Sequence, residues 1–102
     1  RIPPPVGLAD LLGSLRDVLA RAELFGRHHV RRETLSVRER MSQVLERLDA
    51  LRFTPFTALF RPEEGRMGTV VTFLAVLELL RETLLELAQA EPFAPIYLRK
   101  RL

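Results

Sequence analysis

Between residues 67 and 82 (MGTVVTFLAVLELLRE) the chain carries its densest run of apolar side chains. Placed on a helix at about 100° per residue, Val70, Phe73, Leu74, Leu77 and Leu80 form one broad apolar arc. Val71, Val76 and Leu79 fall outside that arc or at its rim, and Thr69, Thr72 and Glu78 gather into no wide wet face. A helix apolar nearly all round is expected inside a domain. In 102 residues, part of it is expected to lack cover. Each Leu or Phe left in water forgoes roughly 1.5–3 kcal/mol of burial, so an uncovered edge points to a partner protein. Full enclosure in the domain's own core is the alternative.

The other elements follow from the same pattern. Residues 6–25 place Leu8, Leu11, Leu12, Leu15, Val18, Leu19 and Ala22 at helical spacing, with Asp10, Arg16, Asp17 and Arg21 opposite. Gly26 suits the C-terminal cap of that amphipathic helix. A second helix is predicted from Ser36, where Ser-Val-Arg-Glu has the order of a capping box. Val37, Met41, Val44, Leu45, Leu48 and Leu51 line one face of it, leaving Arg38, Arg40, Glu46, Arg47 and Asp49 for the surface. Thr54 before Pro55 has the order of an N-cap and first turn. It predicts a short helix over 55–60 with Phe56, Leu59 and Phe60 inward, broken by Pro62, Glu63, Glu64 and Gly65. After Arg81 the period changes to two. Leu85 and Leu87 alternate with Glu86 and Ala88, and Ile96 and Leu98 with Tyr97 and Arg99, which predicts a β-hairpin about Glu91-Pro92-Phe93.

Helix, short helix, long helix and hairpin is the order of a winged-helix domain. The predicted class is therefore α+β, mainly helical: three helices plus a C-terminal hairpin, preceded by one amphipathic helix. Residues near Val30 are candidates for a third strand. The expected organisation is a linker end over 1–5, where three prolines favour polyproline geometry, the preceding helix over 6–25, and the winged-helix domain over 26–102. The first helix is expected to pack on that domain; the alternative is that it belongs to a neighbouring module and docks only loosely. The opening RIPPPV, without an initiator Met, suggests a piece of a longer chain. Arg99, Lys100 and Arg101 read as a frayed, solvated end.

Composition narrows the function. At 47% hydrophobic and 28% charged the sequence is that of a globular protein rather than a disordered one. The apolar run over 70–80 is too short to span a bilayer, so no membrane association is expected. The absence of cysteine excludes disulfides and thiolate metal sites. Adjacent His28 and His29 lack a third ligand at metal spacing. Ser14, Ser36 and Ser42 have no base partner in sequence, and Glu63-Glu64 reads as a solvated turn rather than an acid/base pair. Neither an enzyme nor a cofactor is expected.

A net charge of +3 and the arginines over 27–40 permit nucleic-acid contact. A DNA-reading third helix would present Arg, Asn, Gln or Ser to base edges. This one offers Val, Leu, Phe and Glu78, which suits an apolar partner.

Residues 70–98, VVTFLAVLELLRETLLELAQAEPFAPIYL, resemble the C-terminal winged-helix domain of the ScpA family, the bacterial kleisins of segregation and condensation. The likeness is carried by Val70-Val71-Thr72-Phe73-Leu74-Ala75, Leu77-Glu78-Leu79, Gln89, Phe93, Ile96 and Tyr97. Upstream, Ser36-Val37-Arg38-Glu39-Arg40-Met41 is similar to the family's helix start, and 6–21 to the helix before the domain. Ala94-Pro95 stands where many members carry Asp before the Ile. The resemblance implies a non-enzymatic module that docks on the ATPase head of an SMC protein in an SMC–ScpA–ScpB complex. That complex serves chromosome condensation and segregation, in the cytoplasm at the nucleoid. ScpB would be bound through regions mostly outside this sequence, and DNA only indirectly or weakly. The candidate head-contacting residues are Phe73 and Leu77 on the helix and Phe93, Ile96 and Tyr97 on the hairpin. A winged-helix transcription regulator and a self-pairing domain are the alternatives.

Overall fold

A computed structural model describes residues 6–26 and 36–101. Three α-helices, α1 (Leu8–Gly26), α2 (Val37–Arg47) and α3 (Gly65–Arg81), stand against a small antiparallel sheet. Its strands are β1 (Thr54–Pro55), β2 (Leu85–Gln89) and β3 (Ile96–Lys100), in the order β1-β3-β2. One core joins them: Leu11 and Val18 from α1, Val44 from α2, Phe73, Val76 and Leu79 from α3, and Leu85, Ile96 and Leu98 from the sheet. α1 thus packs on the domain, against α3 and the 3-10 turn Pro62–Glu64.

α2 begins at its predicted cap, with Ser36 Oγ accepting from the Glu39 N–H at 3.3 Å. It ends at Arg47, because Leu48 turns extended and donates its N–H back to the Val44 and Leu45 carbonyls. Leu51 therefore lies beyond the helix and is exposed, not on its apolar face. Thr54 is not an N-cap either. Thr54 and Pro55 pair with Leu98 and Tyr97 as the third strand, a role expected near Val30, which lies outside the described residues. Pro55 has no N–H to continue the ladder, and the chain turns into a 3-10 helix, Phe56–Leu59. Phe56, Leu59 and Phe60 are buried as expected, with the Phe56 ring edge-on to Phe60 at 4.9 Å and to Phe73 at 6.4 Å.

The hairpin forms where the alternation changes. Leu87 opposes Leu98 and Gln89 opposes Ile96 on the inner face, while Glu86 opposes Arg99 and Ala88 opposes Tyr97 on the outer. The basic C-terminus is not frayed. Arg99 and Lys100 belong to β3, and the Arg101 N–H donates to the Leu84 carbonyl at 2.9 Å.

Two further expectations are corrected at the start of α3. Arg40 is not a surface charge, nor is Glu64 part of a solvated turn. Their side chains are 7% and 8% exposed and form a two-pronged ion pair, Nη1–Oε1 and Nη2–Oε2 both at 2.8 Å. Arg40 Nη1 also donates to Thr72 Oγ1 at 3.2 Å, and that hydroxyl donates to the Gly68 carbonyl at 2.7 Å. Gly68 makes room for the pair, since a Cβ there would lie 2.3 Å from Glu64 Cβ. Replacing Arg40 by Met takes both guanidinium bonds from a buried carboxylate and is expected to cost about 3–5 kcal/mol in urea unfolding. Arg40→Met/Glu64→Met is expected to recover most of that loss.

α3 stops through a Schellman arrangement: Thr83 N–H to Leu80 O and Leu84 N–H to Leu79 O, both 3.0 Å. Thr83 takes the left-handed position, φ 58°, usually given to glycine. Thr83→Gly is expected to raise the unfolding free energy by roughly 0.5–1 kcal/mol, read from the same urea curves.

Candidate functional site

The buried side of α3 is not the broad apolar arc seen in the sequence. Gly65, Gly68, Thr69, Val71, Thr72, Ala75, Val76 and Leu79 face inward, together with Phe73. These are mostly small or β-branched residues, which let neighbouring backbones approach closely. The threonines are satisfied within the helix, Thr69 Oγ1 donating to the Gly65 carbonyl at 3.2 Å and Thr72 to Gly68. No buried side-chain N or O lacks a partner among the described residues. The outer side keeps Val70, Leu77 and Leu80 half-covered and leaves Met67 and Leu74 exposed. Glu78 and Arg81, 3.8 Å apart, supply charges beside this stripe.

The five candidate contact residues divide by exposure. Phe73, 6% exposed, and Ile96, 3%, are core side chains in the free chain, which corrects the expectation that they stand at the surface. Phe73 is held there by the Phe56 ring, and Ile96 by the inward phase of β3. Leu77 packs on the core from its edge. Tyr97 is 38% exposed on the outer sheet face, and Phe93, at the hairpin tip, is 95% exposed.

Sequence reasoning missed Phe53 on this outer face. Its ring lies under the Arg99 guanidinium, 4.6 Å from centroid to Cζ. Arg99 also donates from Nε and Nη2 to Glu86 Oε2, each at 2.8 Å. Phe53 stands one residue before a two-residue strand, too short for alternation to reveal. Met67 and Leu74 were legible as neighbours of Leu77 on the helical wheel; only the packing distinguishes the covered side from the open one.

Among the described residues no group of His, Cys, Asp or Glu could hold a metal ion, and no helix is long and apolar enough to cross a membrane. His28, His29, Arg27, Arg31 and Arg32 lie outside the described residues. Of the arginines between 27 and 40 that are described, Arg38 is exposed and Arg40 is spent on Glu64.

Three helices and a three-stranded antiparallel sheet, with apolar side chains on an outer helix face and at a hairpin tip, define an α+β domain compatible with the winged-helix arrangement. Residues 9–100 match the family model described as SMC_ScpA, Segregation and condensation protein ScpA. The chain is 56% identical over 99 residues to Segregation and condensation protein A of Xylella fastidiosa, covering 97% of this chain and 33% of that protein. It is 52% identical over 101 residues to that of Coxiella burnetii, covering 99% and 38%. To that of Myxococcus xanthus it is 38% identical over 90 residues, covering 86% and 31%. This chain belongs to the ScpA family and spans about a third of the length of the curated relatives it matches. No solved structure matches it.

Burial separates the candidate aromatics in a measurable way. Phe73→Ala is expected to cost about 3–5 kcal/mol, whereas Phe93→Ala is expected to stay within about 0.5 kcal/mol of the parent. Parallel denaturant melts check both.

Proposed function

We propose that this chain is the C-terminal winged-helix module of a kleisin, comprising residues 26–102 with α1 packed against it. It docks on the ATPase head of an SMC protein without catalysing a reaction or carrying a cofactor. The complex would contain ScpB, bound mostly by kleisin regions outside this chain, and would serve chromosome condensation and segregation at the nucleoid of the cytoplasm. The observation that carries this reading, beside family membership, is the half-covered stripe Met67, Val70, Leu74 and Leu77 on α3. Such a stripe fits the apolar centre of a protein interface, with Glu78 and Arg81 at a polar rim. Leu77, Phe93 and Tyr97 are the accessible anchors, and Phe73 and Ile96 support them from within.

A DNA-reading winged helix is disfavoured by the same face. It offers no fan of amides and guanidinia to base edges, and Arg40 is sequestered by Glu64.

The deciding experiment is capture of this fragment by its own purified SMC head, with and without DNA. Leu77→Arg is expected to keep the parent circular dichroism spectrum, since the long side chain can carry its charge to water, and to lose head binding. An unfolded variant would make Leu77 purely structural; a folded variant that still binds would move the interface off α3. Head binding is expected to change little between low and moderate salt. Direct DNA binding would instead fall by about 0.9 log units per log unit of salt for each phosphate neutralised.

A further inference from the structure

The hairpin tip is built at a cost that the free chain does not recover. Between β2 and β3 the Ala94 N–H donates to the Glu91 carbonyl at 3.0 Å, closing a four-residue turn. Pro92 and Phe93 are its central residues. Pro then a residue of positive φ is the order of a type II turn, whose third position favours Gly or Asn. Phe93 occupies it at φ 69°. A side chain with a Cβ is strained there, and this one has no polar atom to recover the loss locally. Nor does burial compensate, since Phe93 is almost wholly in water. Thr83 shares the left-handed backbone but closes the cap of α3, a structural task that explains it.

The tip is nevertheless held in place. Gln89, buried at the end of β2, donates from Nε2 to the Ala94 carbonyl at 2.8 Å, fixing the residue after Phe93 from inside the domain. A strained backbone, an unburied aromatic ring and a buried latch meet within six residues. Strain of this kind, maintained by surrounding structure, is a mark of functional sites.

We propose that Phe93 is a pre-strained docking knob, positioned by Gln89, that enters an apolar socket with a cationic rim on the SMC head. This rests on the head-docking reading above. The cationic rim follows from the tip's charge: over 90–95 the charged residue is Glu91, which is exposed. The same carboxylate opposes an anionic membrane surface. A rigid aromatic on a protruding turn is a convex element, suited to a desolvated pocket at an interface centre. The rival socket is the apolar groove on α1 of a second copy, about 330 Å³, lined by Leu12, Leu15 and Leu19.

The test combines thermal melts of the chain alone with titration calorimetry against the purified SMC head. Phe93→Gly and Phe93→Asn relieve the backbone and remove the ring. Both are expected to raise Tm by about 2–6 °C and to weaken head binding at least tenfold. Phe93→Ala keeps the strain, so it is expected to lose the same affinity without the rise in Tm; Phe93→Trp is expected to bind within about threefold of the parent. Gln89→Met, measured well below its own Tm, is expected to weaken binding severalfold when Phe93 is present and not further in a Phe93→Ala background. A purely structural Gln89 would move Tm without that coupling. If the parent chain binds the head and Phe93→Gly binds equally well, or if both relieving variants melt below the parent, the knob is overturned while head docking stands. A parent chain that fails to bind the head overturns both. Concentration-dependent self-association abolished by Phe93→Ala, seen by sedimentation, would assign the knob to a second copy and overturn the head as its occupant.

Discussion

The arrangement of the helices depends on one buried ion pair. Arg40 on α2 and Glu64 at the entrance of α3 meet through both prongs, with Thr72 taking a third bond from the guanidinium. A buried pair of this kind adds little net stability, because desolvation cancels much of the attraction. What it does is tie α2 to the entrance of α3 at one point, through both prongs of the guanidinium. Gly68 and Gly65 serve the same contact, one by leaving space beneath Glu64 and the other by taking the positive φ that joins the 3-10 turn to the helix. Five polar or side-chain-poor positions thus meet at the contact that the surrounding leucines fill in.

The same contact explains why the arc of the largest apolar side chains is not the buried side of α3. Hydrophobic periodicity ranks residues by oiliness, and by that measure the face bearing Val70, Leu74 and Leu77 belongs inside. Close helix packing instead selects small and β-branched residues, and Thr69 and Thr72 satisfy their hydroxyls on carbonyls one turn back. The greasiest arc was left half outside, which sustains the expectation of an uncovered edge while changing its members.

Elements with strong local signals were legible: α1 and α2, the Ser36 cap, and the two strands of the hairpin. What escaped depended on distant partners. Thr54-Pro55 looks locally like a helix start, and only Leu98 and Tyr97 make it a strand. Arg40 looks like every other arginine on α2 until Glu64 is placed. The candidate contacts divide in the same way. Phe93, in a turn sequence, was legible as exposed, whereas the burial of Phe73 and Ile96 needed Phe56 and the phase of β3.

The pairing of β1 with β3 also joins segments far apart in the chain. α3 and the hairpin are contiguous, and their contacts can form by local closure. Thr54 pairs with Leu98 across the whole of α3, so closing β1 costs more loop entropy than closing the hairpin, for a strand of only two residues. The connection before it is clasped by the Lys100 N–H on the Asp49 carbonyl, from the same end of β3. The last residues of β3 therefore act as a fastener for a segment far upstream, and a nascent chain ending at Leu98 would lack the Lys100 clasp.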